Sequence, residues 1–209
     1  MARYIEPICR LCRRNGEKLF LKGARCFTPK CAIDKRPKPP GQAAGRRRRR
    51  FSDRGLQLRE KQKARYTYGM LERQFKRIFK LAEKQAGITG DNLLVLLERR
   101  LDNVVFVMGF ARSRTHGRQL ISHGHFSVNQ RKVTVPSFIV DEGDEVKIRP
   151  RSAQYEDIKQ VVGQNKNKTV PSWIAVDWDN MSAKIAALPT RQDITLPVEE
   201  HYIVELYSK

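Results

Sequence analysis

The residues best equipped for chemistry are four cysteines. Cys9 and Cys12 form a C-x2-C pair, and Cys26 and Cys31 form a C-x4-C pair after a gap of thirteen residues. Two short hooks of this kind bring four thiolates to one tetrahedral centre, the donor set that satisfies zinc. The pattern predicts one structural zinc ion on Cys9, Cys12, Cys26 and Cys31. Four sulfurs close the coordination shell and leave no open position for a substrate or an activated water. Unpaired structural thiols, disulfides in a secreted chain and an iron–sulfur cluster are the alternatives. So short a segment cannot bury a useful core, so metal binding would supply much of its folding free energy. Asn15-Gly16, beside Leu19, Phe20 and Leu21, suits a hairpin between the hooks.

Other reactive constellations do not assemble. The histidines are His116, His123, His125 and His201. His123-Gly124-His125 has no third metal ligand nearby in sequence and reads as a phosphate or backbone contact. There is no phosphate-cradling G-x4-G-K-[ST] run and no dinucleotide fingerprint. No serine stands in a nucleophile-elbow context. Asp102, in Arg-Leu-Asp-Asn, is expected to pair with Arg99 or to cap a helix rather than to react. An enzyme needs a convergent acid, base or nucleophile set, and the chain offers none.

Charge points to a partner instead. The 209 residues carry 42 Lys and Arg against 22 Asp and Glu, a formal net charge of +20. The excess is segregated: residues 1–80 hold 25 basic against 6 acidic side chains, and residues 81–209 hold 17 against 16. Such asymmetry predicts a polyanion, nucleic acid before membrane. The candidate RNA contacts in the cysteine segment are Arg3, Arg10, Arg13, Arg14 and Lys22. They continue through the run Arg46, Arg47, Arg48, Arg49 and Arg50, then Arg59, Lys61, Lys63, Arg65 and Arg73. The central part of the chain adds Arg112, Arg114, Arg118, His123, His125, Arg131 and Lys132. Arginine's planar fork grips phosphate bidentately and stacks on bases. Five arginines in a row repel one another, so that run should stay disordered until phosphates neutralise it; a nuclear-import signal or a solvated linker is the alternative. No apolar run approaches the ~18 residues a membrane span needs. The first residues lack a signal-peptide core, so a reducing, cytoplasmic setting is expected.

The elements that must position these side chains can be read from periodicity. Pro37, Pro39 and Pro40 favour an extended stretch. Ser52 or Asp53 caps a basic helix running to Gly69. Leu71, Phe75, Ile78, Phe79 and Ala82 form the inner face of the next helix, which Gly87 ends, with Arg73, Lys76, Arg77 and Lys80 outside. Leu97, Leu101, Val104, Val105 and Met108 fall on one helical face, broken by Gly109. Ser113 opens a further helix that Gly124 closes. The period then drops to two through Phe126 and Val128, Val133 and Val135, Ile139, then Val146 and Ile148, which read as short strands. Asp141, Glu142, Asp144 and Glu145 collect in one turn. Tyr155, Ile158, Val161 and Val162 predict one short helix before Gly163. Trp173, Ile174 and Val176 predict a strand with a partner in Ser182 to Leu188. Pro189 to Pro197 reads as a reaching loop, and Val198, Tyr202, Ile203 and Leu206 favour a final helix, although Tyr202, Val204 and Leu206 also fit a strand. The fold class is α+β.

The central stretch resembles the small RNA-binding domain named after small-subunit ribosomal protein four. The resemblance rests on RLDNVVF, SRTHGRQLISHGH, the VN before the hairpin, VPSF and Glu142-Gly143-Asp144. Gly117 departs from the family's usual alanine, at a helix-interior cost of about 1 kcal/mol. Gln130 follows Asn129 where the family usually has glycine; either Gln130 takes φ > 0 or the turn is looser. With ARYIEPICRLCRR, CFTPKC, RPKPPGQ, LREKQKARYTYG and the closing LPTRQDITLPVEEHYIVELYSK, the whole chain resembles the bacterial-type family of that protein, in its zinc-carrying form. The resemblance implies a non-catalytic RNA-binding protein. It implies a zinc segment at 1–45, a helical domain at 46–95 plus 190–209, and an RNA-binding domain inserted at 96–189. It further implies binding to a multi-helix junction in the 5′ domain of small-subunit rRNA, early nucleation of subunit assembly, and contact with small-subunit protein five and other neighbouring ribosomal proteins. A place along the path by which mRNA enters, where Arg46 to Arg50 would lie, and a part in translational accuracy follow from the same resemblance. Self-repression through mRNA is left open.

Overall fold

Helix caps and apolar spacing in the first part of the chain, and a change to period two in the second, build different architectures. The computed structural model describes residues 4–41, 52–166 and 168–208. They divide into two compact units, Met1–Leu93 with Leu196–Lys209, and Leu94–Thr195. A helical part and a small antiparallel sheet together make the protein α+β.

In the first unit, α1 (Cys9–Asn15) is followed by a 3-10 turn (Gly23–Phe27) and α2 (Ala32–Lys35). No strand forms among the described residues of 1–41, so the expected hairpin is absent. Asn15-Gly16 is used otherwise: Gly16, at φ 73°, terminates α1 while the Gly16 and Glu17 N–H groups both donate to the Cys12 carbonyl. Helix α3 (Asp53–Thr67) is capped as expected, with Ser52 Oγ accepting from the Gly55 N–H at 3.3 Å. Helix α4 (Glu72–Glu83) buries Phe75, Ile78, Phe79 and Ala82, the anticipated face, and ends before Gly87. The closing segment is a helix, α10 (Glu200–Tyr207), and it packs on α3. Strand geometry would have thrown Tyr202 and Leu206 to one side. As a helix, Ile203 is buried and Tyr207 lies with its ring centroid 4.6 Å from that of Phe79. Gln57 donates to Glu205 at 2.8 Å across the same packing.

Helix α5 (Thr89–Glu98) contains the boundary between the units, and α6 (Leu101–Val107) follows it. The apolar face spanning Leu97 to Met108 is therefore split between two helices, not one. The cause is tertiary. The Leu101 N–H donates to the Phe138 carbonyl at 2.8 Å, and the Val140 N–H donates to the Arg99 carbonyl at 2.9 Å. Arg100 is drawn into extended geometry, bridged to Ile139. Helix α7 (Arg114–Ser122) has Ser113 Oγ as its cap, accepting from the His116 N–H at 3.2 Å. Gly117 sits where α7 crosses α6: a Cβ there would lie 3.2 Å from the Asp102 carbonyl oxygen.

The strands are β1 (Phe126–Val128), β2 (Arg131–Lys132), β3 (Glu145–Ile148), β4 (Ile174–Asp177) and β5 (Ser182–Ile185). They form one antiparallel sheet in the order β2-β1-β3-β5-β4. Val128 pairs with Arg131, so the β1–β2 connection is a tight two-residue turn, with Asn129 at φ 47° and Gln130 at φ 66°. It is not loosened. Asn129 holds it: its Nδ2 donates to Asp144 at 2.7 Å, and its Oδ1 accepts from the Glu145 N–H at 2.9 Å. Val133 and Val135 lie beyond β2, and Val135 is exposed. Helices α8 (Pro150–Ala153) and α9 (Glu156–Asn165) replace the single expected helix; Gln154 and Tyr155, both exposed, lie between them, and α9 runs through Gly163. Leu101, Val105, Met108, Ile121, Phe126, Val146, Ile158 and Trp173 are buried in the core between these helices and the sheet.

Candidate nucleic-acid interface

Short elements carry the four thiols. Cys9 and Cys12 lie on α1, Cys26 in the 3-10 turn, and Cys31 immediately before α2. All four are free, Cys26 and Cys31 buried, Cys9 and Cys12 half-buried. The Cys12 thiol is pushed above its ordinary pKa chiefly by burial, against the lowering effect of a Leu19 backbone hydrogen bond. Cys26, Cys9 and Cys31 add smaller upward pushes. The Lys22 N–H donates to Cys26 Sγ at 3.3 Å. Backbone N–H groups aimed at sulfur are what a thiolate ligand would use, so the donor chemistry fits zinc. The thiols are nevertheless not drawn into a closed shell: among the described residues, no three His, Cys, Asp or Glu side chains form a group able to hold a metal ion.

The predicted basic contacts fall into three classes. Arg3 and Arg46 to Arg50 lie outside the described residues. Arg10, Arg14, Lys22, Arg73, His123, Arg131 and Lys132 are exposed, and Arg13 is half-buried with its Nε donating to the Lys38 carbonyl at 2.9 Å. A third set has its charge answered inside the protein. Lys61 is buried against Glu72 at 2.7 Å. Lys63 is buried between Glu17 at 2.9 Å and Glu60 at 3.3 Å. Arg59 reaches Glu17 at 3.3 Å and the Asn15 carbonyl, and Arg65 lies 3.8 Å from Glu72. Arg112 is exposed and pairs with Asp157.

Glu72 shows how tightly this internal charge is held. Burial alone would raise its pKa, but hydrogen bonds from Lys61 and from the Tyr207 hydroxyl outweigh that and leave it lowered. The same contact, together with burial as the larger cause, pushes the Tyr207 phenol well upward.

Arg118 is the clearest relocation. It is buried, and its Nη1 lies 3.0 Å from Asp102, which also takes Arg100 at 2.6 Å. Asp102 therefore pairs with Arg100 and Arg118, not with Arg99. Arg99 is occupied by Asp141 and the Val140 carbonyl. The extended break at Arg100 turns that side chain inward, which helical periodicity could not anticipate.

Arg114 is half-buried, its Nε donating to Asn103 at 2.7 Å and its guanidinium carbon 4.8 Å from the Phe106 ring centroid. Lys168 sets its ammonium 4.5 Å from the same ring, and its pKa is lowered by burial and then by the nearby Arg114 charge. His125 bonds Ser152 at 2.9 Å and rests edge-on to Tyr155. Burial, then the His123 and Arg149 charges, lower its pKa. His116 meets Asp157 at 3.0 Å; burial, joined by the Arg112 charge, leaves its pKa lowered against the upward pull of that carboxylate.

Cations not singled out as contacts also face solvent. Lys76, Arg77, Lys80 and Lys84 join Arg73 in lining a shallow groove along the outer side of α4. Helical spacing off the apolar face was the available signal. For Lys168 there was none, because its neighbour Phe106 is distant in sequence.

Comparison with known proteins agrees with this geometry. Residues 3–98 match the family model described as ribosomal protein S4/S9 N-terminal domain, and residues 99–146 match that of the S4 domain. The chain is 54% identical over 209 residues to small ribosomal subunit protein uS4 of Halothermothrix orenii, covering all of both chains. It is likewise 54% identical to the protein of that name from Pelotomaculum thermopropionicum and 53% identical to that from Caldicellulosiruptor saccharolyticus, again over the full length of each. No helix among the described residues is long and apolar enough to cross a membrane.

Proposed function

The chain belongs to the bacterial-type ribosomal protein S4 family, and from that we propose how its surface works. It is a structural, rRNA-binding constituent of the small ribosomal subunit in the cytoplasm, and not an enzyme. The observation that carries the mechanism is the division of its cations. One set is neutralised internally and holds the fold, as Lys61, Lys63, Arg100 and Arg118 do. A second set, including Arg73, Arg131 and Lys132, faces solvent. Rigid helices and strands thus present positive charge at set positions. Contact with phosphates releases condensed counterions. A-form RNA hides its deep major groove, so backbone shape and unpaired segments are read instead.

The finer assignment is a primary binder of a 5′-domain helix junction. Holding that junction reduces its conformational freedom, so later proteins meet a preorganised site. Contacts with small-subunit protein five and with entering mRNA, and a part in accuracy, belong to the same reading. So does an RNA-binding domain at 96–189 inserted between the two parts of a helical domain. One zinc ion on Cys9, Cys12, Cys26 and Cys31 would cross-link α1, the 3-10 turn and α2. Its chemistry there would be structural.

The test is binding of the full chain to small-subunit rRNA and to an arbitrary duplex of equal length, across a range of salt. Strong preference for the rRNA and a steep salt slope are expected, with Arg114→Ala flattening the slope by about one unit. Equal affinity for both RNAs would overturn the proposal.

A further inference from the structure

Phe20 and Phe27 form a stacked pair, with ring centroids 4.9 Å apart and planes 25° from parallel. Both are exposed, Phe20 at 43% and Phe27 at 74%. Their placement is forced by the backbone. Leu19 and Cys26, the residues just before them, are buried. Phe20 occupies the left-handed region at φ 49°, which L residues with side chains rarely adopt. The chain thus turns its apolar side chain outward immediately after Leu19 has turned inward. The second ring comes from the end of the 3-10 turn that Cys26 anchors. Strain at one ring and water exposure at both oppose what folding alone would select. Exposed Lys22, Arg25 and Lys30 surround the pair in sequence, and no acidic residue lies between Lys18 and Cys31.

Resting on the RNA-binding reading above, we propose that the Phe20–Phe27 pair is a stacking platform for an unpaired nucleobase of the bound RNA. Lys22 and Arg25 hold the adjoining phosphates. A flat aromatic surface with cations at its edge is the arrangement that receives splayed-out bases, and every base has a π-face to offer it. The contact differs from the α4 and β2 cations in kind: it adds affinity through stacking, not through counterion release.

The experiment compares full-length wild type, Phe27→Leu, Phe27→Trp and Lys22→Gln for binding to small-subunit rRNA at several salt concentrations. Phe27→Leu keeps an apolar side chain and removes the flat ring. It should weaken binding about tenfold with the salt slope and thermal unfolding unchanged, whereas Phe27→Trp should bind at least as well as wild type. Lys22→Gln should lower the slope by about one unit. Equal affinity of Phe27→Leu and wild type would overturn the platform. So would wild-type affinity in Phe27→Leu joined to a failure to enter assembled subunits, which would make the pair a protein contact. A wild-type chain that itself ignores rRNA would instead sink the functional reading beneath it.

Discussion

Asp102→Ala is the sharpest probe of how the second unit is held. Asp102 is 3% exposed and sits between Arg100 at 1% and Arg118 at 7%. It takes Nε and Nη2 of Arg100 at 3.1 and 2.6 Å, and Nη1 of Arg118 at 3.0 Å. Truncation removes the carboxylate that Arg100 shares with Arg118 and leaves the Arg100 guanidinium buried without it. Breaking a buried pair in this way costs about 3–5 kcal/mol, because an uncompensated charge stays out of water. That is a large share of the ~5–15 kcal/mol that stabilises a typical domain, and corresponds to a fall on the order of 20 °C in the midpoint of a unit this size. The chain's two tryptophans, Trp173 and Trp178, both lie in this unit, so fluorescence-monitored urea unfolding of the full chain isolates its transition. Replacing all three as R100M/D102L/R118M removes the charges together and should restore most of the loss. A loss below about 1 kcal/mol in Asp102→Ala, or a triple variant no better than the single one, would refute the argument that losing the buried carboxylate beside Arg100 sets the cost.

Three further outcomes are expected. Gln130→Gly should stabilise the second unit by about 0.5–1 kcal/mol in the same fluorescence assay, because the left-handed turn position ceases to be strained; destabilisation would mean that the Gln130 side chain makes a contact of its own. The folded state lowers the pKa of His116 and His125, so it binds fewer protons than the unfolded chain as these groups titrate. Their contribution is present above the unfolded value and is lost as pH falls, so the urea midpoint at about pH 5 should lie below that at about pH 7.5, and replacing both with glutamine should shrink the difference. Cys9→Ala should lower bound zinc, measured by metal analysis of the purified chain, and loosen the cysteine-bearing segment at 1–45 while the tryptophan transition stays in place; unchanged metal content would remove Cys9 from the ligand set.

Much of the molecule was legible because local rules suffice where the relevant partner is a few residues away. The Ser52 and Ser113 caps, the buried face of α4, the strands at Phe126 and Val146, and the α+β class all follow from side-chain chemistry at fixed spacing. So does the uneven charge that points to RNA, since a count of cations needs no coordinates. Tertiary structure decided everything that depended on a partner far along the chain. Backbone bonds from the segment around Phe138 and Val140 broke one apolar helix into two, and that break, by turning Arg100 inward, set the partners of Asp102. Asp144 and Glu145 clamped Asn129 and so kept a tight turn where glycine is usual. Carboxylates at Glu17, Glu60, Glu72 and Asp102 separated the cations that brace the protein from those that meet solvent. A lysine or arginine reads the same in sequence whether its counter-charge is a phosphate or a neighbouring carboxylate; only folding brings the carboxylate within reach.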